Sequence, residues 1–215
     1  MKVSIIITNF NYEKYLDRCI VSCLNQKFLK KYFEIILIDD CSSDNSFKTA
    51  EKYLIFKNFS LIKNKKNIGV SASSNKAIKK AKGKFFVRVD SDDFVDKYFI
   101  EELYKNIIKN NKILGVSCNY TYISNEEKKL KRINYKNKPI SCGVLYNRKK
   151  LLKIGLYNKD FKHREEEELR KRLGIYYKIK NIKKYLYFYR MHNHNKTKKK
   201  KIMSNFKKKL SKLYN

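Results

Sequence analysis

Three short apolar runs decide most of what this chain can fold into. Residues 3–8 (Val3, Ser4, Ile5, Ile6, Ile7, Thr8), 33–38 and 85–89 are rich in β-branched and aromatic side chains, and each has the length of one buried strand. Between the first two, Leu16, Ile20, Cys23 and Leu24 recur at helical spacing; after the second, Ser43 or Asp44 can cap a helix over 46–56. A weaker strand at 59–62, a loop entering a helix over 69–80 closed by Gly83, and an amphipathic helix over 98–108 follow. Strands alternating with helices of this length predict an α/β fold with a mostly parallel central sheet flanked by helices. In such sheets ligands bind beyond the carboxyl ends of the strands. Here those ends read Thr8-Asn9, Asp39-Asp40 and Asp90-Ser91-Asp92, so three polar clusters fall on one edge, where a nucleotide is expected.

After Gly115 the pattern loosens. Residues 116–123 and 143–146 predict strands around a lysine-rich loop that holds the only proline, Pro139. A helix is expected over 148–154, another over 165–173, and a strand at 185–189. From Lys196 onward there are nine lysines and no acids. Ile202, Met203, Phe206, Leu210 and Leu213 share one helical face there. That face predicts either a helix packed on the domain with its lysines in water, or a basic amphipathic helix on an anionic membrane.

Charge says less than its size suggests. The 215 residues carry 52 Lys+Arg against 20 Asp+Glu, a net +32, which suits nucleic acid, an anionic membrane or phosphate-bearing small molecules alike. Without the tail's nine lysines +23 remains, so the excess marks no single patch. The acids are more telling. Asp39, Asp40 and Asp44, then Asp90, Asp92 and Asp93, then Glu165 to Glu168 account for ten of the 20. Carboxylates grouped in a basic chain point to metal binding, proton transfer or recognition of sugar hydroxyls. They also argue against a nucleic-acid-binding module, of which no zinc-finger, RNP or helix-turn-helix pattern is present. No apolar run approaches the ~18 residues of a spanning helix. Met1-Lys2 opens no signal peptide, and Cys19, Cys23, Cys41, Cys118 and Cys142 show no C-x-x-C spacing. A cytoplasmic protein with reduced thiols is expected, with peripheral contact at the inner face of the cell membrane left open by the tail.

Each cluster has a chemical and a structural reading. In an extended segment residues i and i+2 share a face, so Asp90 and Asp92 converge on one point and suit magnesium or manganese. The alternative is a turn that Ser91 or Asp92 caps, and the position at a buried strand's end favours the metal. Asp39 is placed to accept a hydrogen bond from a base or ribose, whereas Asp44 reads as a cap. The run from Asn67 through Gly69 to Asn75 offers small residues at a helix start, for phosphate approach or for tight packing alike. Glu165 to Glu168 reads as a solvated face paired with Arg164, Arg170 and Arg172, or as carboxylates whose repulsion raises one pKa for a general base. Arg190 and His192 share a face and can grip a phosphate or a metal.

In this order the segments resemble glycosyltransferase family 2, inverting enzymes on the GT-A fold. The resemblance is carried by Val3-Ser4-Ile5-Ile6-Ile7-Thr8-Asn9-Phe10-Asn11-Tyr12, Ile38-Asp39-Asp40-Cys41-Ser42-Ser43-Asp44, Asn67-Ile68-Gly69 and Val89-Asp90-Ser91-Asp92-Asp93, and it extends to about Thr197. It implies a single Rossmann-like domain over 1–197, with a nucleotide-binding half at 1–110, an acceptor and catalytic-base half at 111–197, and a tail at 198–215. It implies that Thr8, Asn9, Asn11, Asp39, Asn67, Gly69, Asp90 and Arg190 meet a nucleotide sugar, a UDP-sugar by preference. Asp92 and His192 then hold a divalent ion, and Glu166, with Glu165 beside it, takes the position of the catalytic base. The implied enzyme is a metal-dependent hexosyl- or N-acetylhexosaminyltransferase acting on a saccharide or lipid-linked acceptor in surface polysaccharide synthesis. The ending Arg190-Met191-His192, Asn195 and Thr197 fits the same family.

Two departures stand out. The Ala-Arg-Asn common after the glycine is Ser73-Ser74-Asn75 here, so an arginine is missing, for which Lys65, Lys66 or Lys76 are the candidate replacements. The base position holds Glu where Asp is frequent. A nucleotidyltransferase would open with a glycine-rich loop where this chain has Asn9-Phe10-Asn11-Tyr12, and a catalytically inactive relative remains the other alternative on this fold.

Overall fold

In the computed structural model, which describes residues 1–193, 195 and 200–214, one sheet runs through the whole chain. The first half alternates β1 (Val3–Asn9), α1 (Glu13–Leu24), β2 (Phe33–Asp39), α2 (Ser46–Glu51), β3 (Phe59–Lys63), α3 (Val70–Lys80) and β4 (Phe85–Asp90). A two-residue strand β5 (Phe94–Val95) and α4 (Phe99–Ile107) lead to β6 (Gly115–Ile123), β7 (Lys129–Ile133) and β8 (Val144–Asn147). The chain ends through α5 (Arg148–Ile154), α6 (Glu165–Leu173), β9 (Ile179–Arg190) and α7 (Lys200–Tyr214).

The strand order is β3-β2-β1-β4-β8-β6-β9-β5, with β7 paired to β6. β1 is parallel to both β2 and β4, β2 to β3, and β6 to β9, while β8 joins the two parallel groups by antiparallel pairing. The first three runs are continuous because helices cover both faces of the sheet. Ile5 and Ile7 enter one core cluster with Leu16, Ile20 and Leu103, and the intervening Ile6 enters the other with Ala77 and Ile78. Parallel register places Thr8 beside Ile38 and Asp90, and Asn9 beside Asp39. The three polar clusters therefore share one edge, as the strand ends predict.

Several elements differ from expectation. The helix after β2 is α-helical only to Glu51 and tightens into a 3₁₀ turn through Ile55. The lysine-rich loop after β6 contains β7, a strand exposed on both faces and therefore without an apolar signature. β9 starts at Ile179, ahead of the expected 185, because its first residues alternate weakly between lysines. β5 is too short to read from sequence, and Phe94 stacks on Phe188 of β9 at 4.6 Å.

The tail forms a helix packed on the domain. Leu210 is buried, and the Phe206 ring lies 5.9 Å from Phe161. The Tyr214 hydroxyl donates to Glu168 Oε1 at 2.6 Å, and the Met203 carbonyl accepts from Arg164 Nε. Ile202 and Leu213 stay exposed. No helix among the described residues is long and apolar enough to cross a membrane.

Candidate active site

The ends of β1 and β2 are tied together. Asp39 is fully buried; its Oδ1 accepts from Asn9 Nδ2 (3.1 Å) and Ser42 Oγ (2.5 Å), and its Oδ2 from the Ser42 backbone (3.0 Å). Asn11, at positive φ, donates its backbone N–H to Ser42 Oγ and accepts from Ser43 N–H at 2.8 Å. Asn9, Asn11 and Asp39 thus shape the turn, and of the expected base- and ribose-binding residues on these strands only Thr8 lines the cleft described below. The Asp39 side chain is buried and both its oxygens are taken up within the turn. Asp44 does act as a cap: its two oxygens accept from Ser46 and Glu13 backbone N–H, and Glu13 returns a bond to Asn45 N–H.

Asp40, to which sequence reading assigned no role, fixes the start of α3. Its carboxylate accepts from Asn64 Nδ2 (2.8 Å), Ile68 N–H (3.0 Å) and Gly69 N–H (2.8 Å). Gly69 has φ +85°, which an L side chain rarely adopts. Asn67 is exposed, and neither it nor Gly69 lines the cleft, whereas Val70 does. Lys76, a candidate for the missing arginine, is committed to Asn64 Oδ1 at 2.6 Å. Lys162 lines the cleft, and its Cγ lies 3.4 Å from where a Cβ on Gly69 would sit.

At the end of β4 the three aspartates separate. Asp90 accepts from Arg88 Nε at 3.1 Å, and Asp92 Oδ2 lies 2.8 Å from His192 Nε2. Asp93 is buried and anchors β9, accepting from Tyr187 OH (2.7 Å) and Arg190 N–H (2.8 Å); burial, then Asp92 and Asp90, push its carboxyl well above the usual range. Arg190 does not reach the cleft. Its donors go to the Asp92 and Asn125 carbonyls and to Glu127, and its guanidinium lies over Tyr15 at 4.9 Å. The His192 ring packs against Tyr12 and Tyr15, and Asn195 accepts its backbone N–H at 2.6 Å. Thr197 lies outside the described residues.

Two groups could hold a cation. Asp90, Asp93 and Cys142 bring ligand atoms within 4.8 Å of one another. Burial pushes the Cys142 thiol up, as do Asp90 and Asp93, and a protonated soft sulfur suits neither magnesium nor manganese. Asp92 and His192 suit better. They offer an oxygen and a nitrogen donor of the kind such an ion accepts, and here they hydrogen-bond to each other, Oδ2 to Nε2, at 2.8 Å.

The four glutamates at the start of α6 each take a different partner. Glu165 pairs with Arg88 at 2.9 Å, Glu167 with Arg164, and Glu168 with Arg172 at 2.8 Å and Tyr214. Glu166 is buried; its Oε1 accepts from Tyr146 OH at 2.5 Å and from Tyr177 OH, and its Oε2 is buried without a partner. Burial pushes its pKa up to about 7, against the Tyr146 hydrogen bond and the Arg170 and Arg88 charges that lower it; Glu165 raises it further. Repulsion within the run, the cause expected from sequence, is thus the smaller one, and desolvation dominates.

Thr8, Tyr12, Arg88, Asp90, Asp92 and Glu166 face a common cleft of about 440 Å³, which Arg170 and Met203 of α7 also line. Arg88 spans its floor as a buried cation between Asp90 and Glu165. Burial alone would lower the Arg88 pKa, yet the two carboxylates hold it well above the ordinary arginine value. Sequence reading missed Arg88 because it sits inside an apolar run; its one signal was a charge among buried strand residues. Tyr146 and Tyr177 carried no signal among 17 tyrosines. The cleft is lined both by a glutamate whose pKa is pushed up to about 7 and by an Asp-Ser-Asp turn, and a carboxylate titrating there is able to take a proton from a hydroxyl.

A sequence model of glycosyl transferase family 2 matches residues 4–203. The cholesterol galactosyltransferase of Borreliella burgdorferi is 40% identical over 121 residues, 56% of this chain and 33% of that protein. The poly(ribitol-phosphate) β-N-acetylglucosaminyltransferase TarS of Staphylococcus aureus is 36% identical over 103 residues, 47% of this chain and 18% of its own. The chain therefore spans a third or less of the length of these relatives within the matched regions. The TarS structure in complex with UDP-GlcNAc superposes with TM-score 0.77 and 23% identity over 91% of this chain and 60% of that one. The mannosyltransferase PcManGT of Pyrobaculum calidifontis, with GDP-Man and Mn²⁺, gives TM-score 0.74 and 13% identity over 90% and 58%. Both likenesses concern the fold.

Proposed function

Because the chain belongs to glycosyl transferase family 2, we propose that it is an inverting glycosyltransferase moving a sugar from a nucleoside-diphosphate sugar to an acceptor hydroxyl. The observation that carries this reading is Glu166, a buried glutamate with one unpartnered oxygen, which lines the same cleft as Asp90 and Asp92. The TarS complexes with UDP and UDP-GlcNAc favour a UDP-sugar donor. The poly(ribitol-phosphate) and cholesterol named for the relatives are both hydroxyl acceptors, and we take the acceptor here to be a saccharide or lipid-linked hydroxyl in surface polysaccharide synthesis. On this reading the first half of the domain binds the donor and the second supplies the base.

Glu166, as carboxylate, draws the proton from the acceptor hydroxyl through Oε2. The acceptor oxygen attacks the anomeric carbon from the face opposite the nucleoside diphosphate; the new glycosidic bond forms as the bond to the diphosphate oxygen breaks, and configuration inverts. Negative charge grows on the leaving group, and Lys162 beside the start of α3 is the side chain best placed to meet it. Asp92 and His192 would hold a magnesium or manganese ion, which supplies Lewis-acid charge neutralisation at the diphosphate. Thr8 and Tyr12 form the wall against which the nucleotide lies. Orientation within the cleft supplies much of the remaining acceleration.

A panel of nucleotide sugars with magnesium or manganese, read by thermal shift, tests the reading. A bound donor raises Tm by linkage, and UDP-sugars are expected to give the largest rise. Asp92→Ala should lose the metal-dependent part of that rise and lower turnover by about 10² or more. Absence of any shift across the panel would remove the donor class.

A further inference from the structure

Glu166 is gripped from one side only. Tyr146, fully buried on β8, and Tyr177, half-buried in the turn after α6, both donate to Oε1, and their hydroxyls lie 2.6 Å apart. Oε2 receives nothing although it is buried. An unpaired buried carboxylate oxygen is costly, so its persistence needs partners that over-determine the side chain. We propose that Tyr146 and Tyr177 are positioning residues, a two-phenol clamp that fixes Oε1 and leaves Oε2 as the atom that receives the acceptor proton. The inference rests on the reading of Glu166 as the base.

Two donors on one oxygen do two things. They fix the carboxylate plane, so the second oxygen is held in one direction. They also favour the ionised form, offsetting part of the desolvation that burial imposes. The other groups facing Glu166 are Arg170 and Glu165 on its own helix, Arg88 on β4, Tyr135 after β7 and Tyr157 after α5. None of these donates to Oε1. The Tyr146 ring also stacks on Phe86 at 5.5 Å, so the phenol is held by the sheet and does not follow the helix.

The test is the titration of Glu166, read from the ¹³C resonance of its side-chain carboxyl in the full chain and assigned by its loss in Glu166→Gln. Wild-type protein should titrate near 7. Tyr146→Phe and Tyr177→Phe should each raise the midpoint, the double variant by about one pH unit or more, and the acidic limb of the transfer-rate profile should move with it. Both substitutions keep the ring and remove only the hydroxyl; if Tyr146→Phe fails to fold, the half-buried Tyr177→Phe carries the measurement. A double variant that titrates like wild type overturns the clamp. Near-normal transfer by Glu166→Gln removes the base reading instead, and leaves this titration to stand on its own.

Discussion

Glu166→Gln is expected to be nearly inactive and more stable than the wild type. Loss of a general base lowers turnover by about 10²–10⁴. The amide keeps a carbonyl oxygen for Tyr146 and Tyr177, so the site should stay assembled. The stability gain follows from the raised pKa. An acid whose folded value stands at about 7 against an ordinary value of 4.5 binds more protons folded than unfolded across that interval. Rising pH through the window therefore destabilises the wild type, by roughly 3 kcal/mol once the carboxylate is ionised. Gln has no such penalty. The Tm difference between variant and wild type should be small near pH 4.5, widen to about pH 7 and level off above it. Near-normal transfer by the variant would sink the base assignment, and a pH-independent Tm difference would sink the desolvation argument.

Arg88→Met is expected to act in the opposite direction. Arg88 is buried and ion-paired with Asp90 at 3.1 Å and Glu165 at 2.9 Å, joining the end of β4 to the start of α6. Removing one member of a buried pair leaves the rest uncompensated, at about 3–5 kcal/mol. Denaturant titration should show that loss, and Arg88→Lys should recover part of it, since it restores charge without two-ended reach. The pKa of Glu166 should also rise, because the Arg88 charge lowers it. A Met variant as stable as wild type would mean that the bridge contributes nothing net.

The parallel half of the fold was legible because strands covered on both faces are apolar at most positions and lack polar alternation. Residues 3–8, 33–38 and 85–89 therefore announce themselves, and their carboxyl ends announce the functional edge. β7 was not legible: Lys129, Lys131 and Arg132 are exposed on a strand that backbone pairing to β6 defines. Arg190 and Asp39 were read as ligand contacts from their place in the order of motifs. Both are held inside the protein, Arg190 by Glu127 and the Asn125 carbonyl, Asp39 by Asn9 and Ser42. Ser42 is a local partner three residues on, but Asn9, Asn125 and Glu127 lie 30 to 65 residues away, where no local pattern reaches.

The glutamate run shows the division most plainly. From sequence alone it follows that four carboxylates open a helix after a basic stretch, that they favour its positive end, and that one of them is a candidate base. Successive helical residues point about 100° apart, so the four side chains leave the helix in four directions. Which direction is the cleft depends on how α6 lies against β4, β8 and α7. Arg88 meets Glu165, Tyr146 and Tyr177 meet Glu166, Arg164 meets Glu167, and Arg172 with Tyr214 meets Glu168. The residue types supplied the chemistry; the docking of one helix selected the single oxygen left free to use it.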